Sequence, residues 1–407
     1  MLPPTDGSLE TCGITSEVAT YVAETVTSGW AAANRSRGMM MYGCAGAASP
    51  RDCLADRPLV DDSTIGSNAS VITGAHLRLL YSVANSRSNF WTRSSADGRF
   101  VGRGVHVHDM VRDVEIAMPG AEYDPAFFPD NSGYMYQPGG RLCPMSSLTT
   151  GMPTSVAMTG AESPCSGGSI GLYEHLAASL NGEDYWATSA GTAAWDDGGH
   201  SATTTETRRN ETWGTRASVS LSLMGNTGSG YTYVASRNVP TPYQGDAVIS
   251  PSSRAMITRF VDSAQNYQGF VLHRLEASRS GSTISVSTHE MARYCTSGAK
   301  PAFSFDERWI VFHHYIGGGP DATADAQEMG LADENDPGFA EYASRGSANI
   351  YLLDLQTGRR IRVTNMQPGQ YALYPHFRSD GWIYFLVRTL GTRTEHMIAS
   401  DAALMLQ

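Results

Sequence analysis

Three stretches towards the C-terminal end decide the fold: GAKPAFSFDERWIVFHHY at 298–315, ANIYLLDLQTGRRIRVTN at 348–365 and GQYALYPHFRSDGWIYFLVR at 369–388. The first predicts two short strands around a polar turn at 305–308, because β-branched and aromatic residues flank that turn. Residues 349–355 and 360–364 predict a third and a fourth strand. The last stretch repeats the first two strands and their turn. A four-stranded unit that begins again is typical of a propeller blade.

These residues resemble the TolB-type (WD40-like) β-propeller repeat, whose pattern is P-x-F-S-x-D-G-x-x-I-x-F followed by N-I-Y-x-L-D-L-x-T-G. NIYLLDLQTG matches that pattern almost residue for residue. PAFSFDERWIVF carries Glu307 where the family has Gly, and PHFRSDGWIYF carries Arg378 before its Ser-Asp-Gly. An Asp–Gly pair closes a tight hairpin because Asp bonds the backbone two residues on and Gly accepts a positive φ. The resemblance covers 298–400 and extends in part to the preceding chain.

Related turns recur along the chain and divide it into six units. Their centres are Asp97, Asp130, Asn181, Ser253, Asp306 and Asp380. The last unit is short, with one further strand at 395–400, and the strand at 76–83 is available to complete it. Such an exchange between the chain ends removes a sheet edge. The sequence therefore predicts an all-β fold, a six-bladed β-propeller closed by strand exchange between the chain ends.

Domain organisation follows from the same repeat. Residues 71–407 are predicted to form the propeller. Residues 1–70 are rich in Gly, Ala and Ser and are predicted to form an N-terminal extension, mostly loop, stapled by disulfides.

Composition excludes some partners. The 407-residue chain has a net charge of −11, and Lys300 is the one lysine among 29 basic residues. Phosphate binding requires clustered cations, so nucleic acid is not an expected partner. No apolar run approaches the roughly 20 residues that a membrane span requires. The first ten residues lack the basic start and apolar segment of a signal peptide.

The six cysteines favour an oxidising compartment. They lie at positions 12, 44, 53, 143, 165 and 295, and none belongs to a C-x-x-C motif. An even number of widely spaced cysteines favours disulfides, and hence a periplasmic or secreted protein, over buried free thiols in a cytosolic one. The predicted pairs are Cys44 with Cys53 and Cys143 with Cys165, which leaves Cys12 for Cys295.

The first strand of each unit faces the centre of a propeller, and these strands predict a metal site. The candidate ligands are Asp124, Glu174, Asp246 and His376, with His175 or His200 assisting. Carboxylates alone favour calcium, and added imidazole favours zinc or another transition metal. The alternative is that these side chains are ordinary strand residues in a water-filled channel.

Other motifs give weaker evidence for a functional site. His106 and His108 share one face of a strand, whereas the adjacent pair 313–314 alternates; a hydrogen-bonded structural role is favoured for each. His200, in a polar loop of the irregular third unit, is the best candidate outside the first strands. GGSIG at 167–171 matches G-x-S-x-G but lacks the strand–turn–helix context of a nucleophile elbow. The acidic segment 321–341 lacks EF-hand spacing and is predicted to be a solvated insertion.

Two functions remain open. The first is a metal-dependent hydrolase of esters, lactones or phosphotriesters, in which the ion activates water and His376, His175 or His200 acts as a catalytic base. The second, implied by the TolB resemblance, is a non-catalytic binding propeller. The expected partner is a small-molecule substrate, or a peptide or glycan at the channel mouth.

Overall fold

The computed structural model describes residues 12–36, 38–61, 64–66, 69–84, 92–103, 106–117, 123–137, 141–149, 175–180, 182–190, 218–226, 231–240, 247–262, 267–319 and 321–406. These residues are mainly β-structure, with strands β1–β24 and a few short helices. Consecutive strands pair antiparallel in short up-and-down sheets, as the repeated turns predict.

The first three units follow one another along the chain. Unit 1 comprises β3 (Arg93–Ser94), β4 (Phe100–Arg103), β5 (His106–Asp109) and β6 (Val114–Ala117). Unit 2 comprises β7 (Tyr123–Phe127), β8 (Gly133–Gln137) and β9 (Arg141–Pro144), and is followed by helix α3 (Ser146–Thr149). Unit 3 comprises β10 (His175–Ala178), β11 (Tyr185–Ala190), β12 (Ser218–Asn226) and β13 (Tyr231–Pro240).

Two of the last three units, units 4 and 6, include a strand from the N-terminal part of the chain. Unit 4 comprises β14 (Val248–Ile249), β15 (Ala255–Asp262), β16 (Tyr267–Ser280) and β17 (Thr283–Tyr294), with β1 (Gly13–Ile14) added beside β17. Unit 5 comprises β18 (Ala299–Phe303), β19 (Trp309–Ile316), β20 (Ser347–Asp354) and β21 (Arg360–Arg362). Unit 6 comprises β22 (Gln370–Phe377), β23 (Ile383–Thr389), β24 (Glu395–Ser400) and β2 (Leu77–Val83). A single parallel bridge, Ala348 with Tyr371, joins units 5 and 6.

The pairing predicted between the two chain ends is present. β2 runs antiparallel to β24, with Leu77 opposite Ser400 and Val83 opposite Glu395. A strand from before unit 1 therefore covers the outer edge of unit 6.

The first strands of the six units contact one another in a cycle. β3 contacts β7, β7 contacts β10, β10 contacts β14, β14 contacts β18, β18 contacts β22, and β22 contacts β3. The apolar core lies between neighbouring sheets, as where Phe270 of unit 4 meets Phe312 of unit 5 edge to face at 5.1 Å between ring centroids. The arrangement is propeller-like.

The turn that follows each first strand has a local cause. The Ser95 hydroxyl donates to Asp97 at 2.5 Å and accepts the amide of Phe100 at 3.0 Å. Ser304 repeats both contacts in unit 5, with Asp306 at 2.5 Å and the Trp309 amide at 3.0 Å. The S-x-D motif therefore fixes these hairpins through its side chains.

The N-terminal extension contains more helix than predicted. Helices α1 (Ser16–Ser28) and α2 (Trp30–Ser36) and a 3₁₀ turn (Pro50–Asp52) lie in a region predicted to be mostly loop, and the rest of its described residues is mainly turn and loop. Val18, Tyr21 and Val22 follow the i, i+3, i+4 spacing of an apolar helix face and are buried against units 4 and 5. None of the described helices is long and apolar enough to span a membrane.

The acidic insertion between β19 and β20 also folds. It forms helix α4 (Ala322–Glu328), a 3₁₀ turn (Pro337–Phe339) and helix α5 (Ala340–Arg345), which pack around their own small core. Asp325 is buried there, 2.7 Å from His314, whereas a solvated residue was predicted. A third 3₁₀ helix (Ala402–Met405) follows β24.

Candidate functional site

A cavity of about 90 Å³ lies where the six first strands meet. Its wall includes residues of every unit, among them Arg93, His175, Val248, Ala302 and His376, together with Phe127 and Phe128. The wall reaches the turns that follow the first strands, through residues such as Ala96, Pro129 and Phe305. The cavity is therefore the central feature of the described fold.

His175 of unit 3 is hydrogen-bonded to Arg93 of unit 1. A guanidinium nitrogen of Arg93, Nη2, lies 2.8 Å from His175 Nε2. Burial, and then the positive charges of Arg93 and Lys300, hold the pKa of His175 well below its usual value. His175 is therefore neutral at physiological pH and accepts the hydrogen bond from Arg93 through its Nε2 lone pair.

A bulge positions His376 on β22. The register with β23 shifts between Leu373 and His376, and Tyr374, which precedes a proline, has a φ of 54°. Lys300 occupies the equivalent bulge of β18, with a φ of 55° before Pro301. The repeated X-Pro in the first strand thus produces the same irregularity in two neighbouring units.

His376 is neutral and keeps one nitrogen without a described partner. Nδ1 lies 3.3 Å from the carbonyl oxygen of Tyr374, whereas the buried Nε2 has no hydrogen-bond partner among the described residues. Burial, together with the smaller effect of the charge of Arg93, lowers the pKa of His376 to about 3, against its hydrogen bonds to the backbone of Tyr374 and of Thr92. The buried Oγ1 of Thr92 and Oγ of Ser94, which line the same cavity, likewise lack a partner among the described residues.

The structure brings together two of the predicted site residues, His175 and His376, at one cavity. Asp124 lies in β7, and only its backbone belongs to the described part of the chain. Glu174, Asp246 and His200 lie outside the described residues. The predicted four-ligand metal set therefore stays a prediction. The sequence reasoning missed Arg93, although it stands in the first strand of unit 1.

Three further histidines have structural partners. His108 stacks on Tyr81 at 4.1 Å between ring centroids and lies 3.2 Å from Asp113. His313 accepts the amide of Tyr374 at 3.3 Å, and His314 pairs with the buried Asp325. The structural roles favoured for His108 and for the pair at 313–314 are confirmed by these contacts.

Three metal-ligand side chains, Cys44, Cys53 and Asp380, lie together elsewhere in the described structure. The two cysteines form a disulfide, however, and Asp380 accepts a hydrogen bond from Arg378 Nε at 3.0 Å. A disulfide supplies no thiolate. The trio therefore offers a metal site only in the reduced protein.

Two of the predicted disulfides are present. Cys44 pairs with Cys53 and Cys12 pairs with Cys295, at Cα–Cα distances of 4.3 and 5.7 Å. Cys143 is buried in β9, and its predicted partner, Cys165, lies outside the described residues. The bridge to Cys295 fixes the start of the described chain to the end of β17.

The segment 12–54, called the cap segment below, crosses the turns at one end of the first strands. On units 2 and 3, Asn34 Nδ2 donates to the carbonyl of Pro129 at 3.0 Å, and Trp30 Nε1 donates to that of Ala178 at 3.0 Å. On unit 1, the amide of Tyr42 donates to the carbonyl oxygen of Asp97 at 2.9 Å.

The other three turns are contacted through two buried charged residues. Glu307, in the turn of unit 5, accepts a hydrogen bond from Tyr21 of α1 and the amide of Ser252, in the turn of unit 4, at 2.6 Å. Arg378, in the turn of unit 6, donates to the carbonyl of Tyr42 at 3.0 Å and is fully buried. The cap segment thus contacts, directly or through these two residues, the turns of all six units.

Both residues that depart from the repeat pattern therefore bind the cap segment. Glu307 replaces the glycine and has a φ of 56°. Burial raises the pKa of the Glu307 carboxyl, and its hydrogen bonds to Tyr21 and Ser252 oppose that shift. The repeat without these departures would close the hairpins but would lack both contacts.

Comparison with known proteins gives similarity at low identity. The sequence matches no protein-family model and no curated protein. Among solved structures, the chain is similar to TolB from Acinetobacter baumannii, with 11% identity, a TM-score of 0.36, and coverage of 71% of this chain and 57% of that one. It is also similar to oligogalacturonate lyase from Vibrio parahaemolyticus, with 10% identity, a TM-score of 0.41, and coverage of 82% and 95%.

A third similar structure is the β-propeller domain of the Trilobed protease from Pyrococcus furiosus, with 8% identity, a TM-score of 0.37, and coverage of 82% of this chain and 94% of that one. This chain spans 57% of the TolB structure. The TolB-type recognition made from the repeat agrees with these similarities.

Proposed function

We propose that the chain is a six-bladed β-propeller, closed between β2 and β24, which takes a small molecule into its central channel. The observation that carries this proposal is one cavity lined by all six first strands. The cycle of contacts among the first strands and the pairing of Leu77–Val83 with Glu395–Ser400 support the ring. The ligand then enters from the end opposite the cap segment.

The polar part of the cavity wall supports a binding role. Arg93 and His175 form a hydrogen-bonded pair there, and the buried His376 Nε2 has no hydrogen-bond partner among the described residues. Sites for small ligands combine an apolar lining with a few placed polar groups, and the remaining lining is largely Phe, Pro, Val and Ala. A peptide or glycan at the mouth is the alternative ligand under the same proposal.

The protein is proposed to act outside the cytoplasm. The bridges Cys12–Cys295 and Cys44–Cys53 support this, because structural disulfides persist in oxidising compartments. Residues 1–70 are proposed to be an extension of the propeller, which comprises 71–407. The cap segment, which belongs to this extension, contacts the turns of the propeller units.

A cavity-filling variant tests the channel site. Ala302 lines the cavity, so Ala302→Phe fills it, whereas Ala332→Phe adds the same ring at an exposed position of the insertion. A panel of sugars, amino acids and carboxylic acids is screened for ligand-induced rises in melting temperature. We expect the rises to persist in Ala332→Phe and to vanish in Ala302→Phe. Equal rises in both variants would place the ligand elsewhere and contradict the proposal.

A second candidate is the metal-dependent hydrolase, favoured by two neutral buried imidazoles at one cavity, since neutral imidazole is the form that binds metal. Asp124, Glu174, Asp246 and His376 would hold calcium or zinc, and His175 or His200 would act as the base. The ion would polarise an ester, lactone or phosphotriester oxygen. Arg93 beside His175 opposes this candidate, because its charge repels a cation.

Elemental analysis decides between the two candidates. For the hydrolase, metal content and esterase or phosphotriesterase activity fall together in Asp246→Asn, which keeps the shape of the side chain and removes a charge. Absence of metal from the purified protein, with full activity after exhaustive chelation, would contradict it and leave the binding role.

A further inference from the structure

We propose that a second cavity, between the cap segment and the turn of unit 6, binds a small neutral aromatic molecule with one hydrogen-bond donor, such as a phenol. This cavity, called the cap cavity below, has a volume of about 230 Å³, against about 90 Å³ for the channel cavity. No described residue lines both cavities, so the cap cavity is a site separate from the proposed channel site.

The wall of the cap cavity is mostly apolar. Its apolar members, all from the cap segment, are Ala31, Met39, Met41, Ala47, Ala48 and Pro50. The Cys44–Cys53 disulfide completes that side, and the turn of unit 6 adds Ser379 and Asp380. An apolar cavity of about 150 Å³ is large enough to hold benzene, so the cap cavity has room for a substituted ring. Ala48 and Pro50 are exposed, so the cavity is open to solvent on that side.

The sulfur atoms of this wall favour an aromatic guest. Met41 Sδ accepts a hydrogen bond from Ser379 Oγ at 3.3 Å, and Met39 Sδ accepts one from Asn131 Nδ2 at 3.4 Å. Both thioethers are therefore held in place beside the cavity. A thioether sulfur makes favourable contacts with an aromatic ring, often at the ring edge, that a saturated ring does not provide.

One buried acceptor in the wall requires a donor from the guest. Asn34 lines the cavity and is 2% exposed. Its Nδ2 donates to the carbonyl oxygen of Pro129, which is not part of this wall, whereas its Oδ1 has no hydrogen-bond partner among the described residues. Buried polar side-chain atoms are nearly always hydrogen-bonded, and an amide oxygen can only accept. The guest therefore supplies one N–H or O–H group.

The charges at this wall cancel, which favours a neutral guest. Asp380 is the one charged residue of the described wall, and it accepts a hydrogen bond from Arg378 Nε at 3.0 Å and forms an ion pair with the same guanidinium. Arg378 is fully buried. The hydroxyls of Ser49 and Ser379 already donate within the protein, at 2.7 and 3.3 Å. A charged guest would therefore lose its hydration without gaining a counter-charge.

Three molecules of matched size test the ring and the donor separately. Phenol has both, toluene has the ring without the donor, and cyclohexanol has the hydroxyl without the aromatic ring. Isothermal titration at millimolar concentrations measures each against the full chain. We expect phenol and toluene to bind, and cyclohexanol to bind about threefold more weakly than phenol. Cyclohexanol that binds as tightly as phenol would overturn the aromatic class.

A substitution at Asn34 tests the hydrogen bond. Asn34→Leu has nearly the same shape and removes the acceptor, so the ratio of the phenol dissociation constant to that of toluene should rise about tenfold. The lost contact with Pro129 affects both molecules and cancels in this ratio. Asn34→Ala gives the same comparison if the leucine variant fails to fold, which circular dichroism detects. An unchanged ratio would overturn the requirement for a donor.

Cavity-filling variants locate the site. Ala31 lies one helical turn before Asn34 on α2, and both line the cavity. Ala31→Phe should abolish the binding of phenol and toluene, whereas Ala45→Phe, which adds the same ring at an exposed position outside the described wall, should retain it. Ala302→Phe, which fills the channel cavity, should retain it as well.

The remaining outcomes separate this inference from the channel site. Phenol binding that is lost in Ala302→Phe and kept in Ala31→Phe would overturn the inference and support the channel site instead. Binding that persists in both variants would place phenol elsewhere and also overturn it. If phenol does not bind the wild type, the inference is wrong, and Asn34 Oδ1 then accepts only from water.

Discussion

The hydroxyl of Tyr21 donates a hydrogen bond to the carboxylate of Glu307, 286 residues further along the chain. The same carboxylate accepts the amide and the hydroxyl of Ser252, at 2.6 and 2.9 Å. One side chain of the unit 5 turn therefore joins the cap segment to the turn of unit 4. Its backbone has a φ of 56°, which glycine would adopt at a lower cost. Non-glycine residues persist in such conformations when their side chains form contacts that over-determine the position.

Replacing Glu307 with glycine should loosen the cap segment. Glu307→Gly relieves the backbone strain but leaves Tyr21 and Ser252 without their buried acceptor. We expect a net loss of about 2 kcal/mol in the free energy of unfolding, because lost hydrogen bonds to a charged group outweigh the strain. Hydrogen exchange should rise first in Ser16–Ser28. Ser253→Gly, at another turn position with a φ of 61° and a hydroxyl that donates to the carbonyl of the preceding residue, is the matched control for relief of strain. A gain in stability from Glu307→Gly would contradict this account.

The carboxyl of Glu307 also predicts a dependence of stability on pH. Burial raises its pKa in the folded protein above the unfolded value. Its contribution is then fully present below the unfolded pKa and is lost as pH rises through the folded pKa. The wild type should therefore gain stability relative to Glu307→Gln as pH falls from 8 to about 4.5 (the ordinary glutamate range). His273 and His376, whose pKa values are lowered to about 3, destabilise both proteins equally on acidification and cancel in this difference. A difference that stays constant in thermal melts would contradict the assigned direction.

Arg378 predicts a larger effect at the turn of unit 6. Arg378→Ser restores the residue of the repeat pattern but leaves the nearly buried Asp380 without its cation and the carbonyl of Tyr42 without its donor. Breaking a buried ion pair from one side costs about 3 kcal/mol. Arg393→Ser, at an exposed position after β23, should change stability by less than about 0.5 kcal/mol. Chemical denaturation of the two variants measures the contrast. Equal midpoints would show that Arg378 does not hold the cap segment.

The strands could be predicted from sequence because each repeat contains a recognisable turn motif between its first two strands. Local chemistry is enough to predict the S-x-D hairpins at Ser95 and Ser304. The pairing of 76–83 with 395–400 follows because the last unit lacks a strand and the chain's beginning offers one. The cap segment could not be predicted in the same way. Its helices are stabilised by distant partners, as where Trp30 donates to the carbonyl of Ala178, 148 residues away. The two departures at Glu307 and Arg378 were visible in the sequence, but their partners were not.

The residues of the candidate site also fall into those that could be predicted from the sequence and those that could not. His175 and His376 were predicted from their positions at the start of first strands, and both line the cavity. Arg93 was passed over because an arginine in a strand gives no motif, and its role depends on a contact with a residue two units away. The burial of Asp325 against His314 was missed because a run of acidic residues indicates a solvated segment by composition alone.

The cysteine pairing predicts three separate bridges in peptide mapping under non-reducing conditions. Cys12 with Cys295 and Cys44 with Cys53 are expected from the structure, and Cys143 with Cys165 from the sequence. Removing the first bridge with Cys12→Ser and Cys295→Ser should cost up to about 5 kcal/mol, since it spans 283 residues and mainly restricts the unfolded chain. Thiols that react with an alkylating agent in the native protein would overturn the pairing.

Closure by β2 predicts a difference between two N-terminal deletions. Removing residues 1–56 takes away the cap segment but keeps β2, whereas removing 1–84 also exposes the edge of β24. β2 is packed as well as paired, because Leu77 and Leu80 are buried in clusters on opposite faces of unit 6. The shorter deletion should therefore still unfold in one cooperative transition at a lower melting temperature, while the longer one should lose cooperativity and aggregate. Calorimetry compares the two. Similar, cooperative melting of both deletions would mean that the ring does not depend on the strand from the chain's beginning.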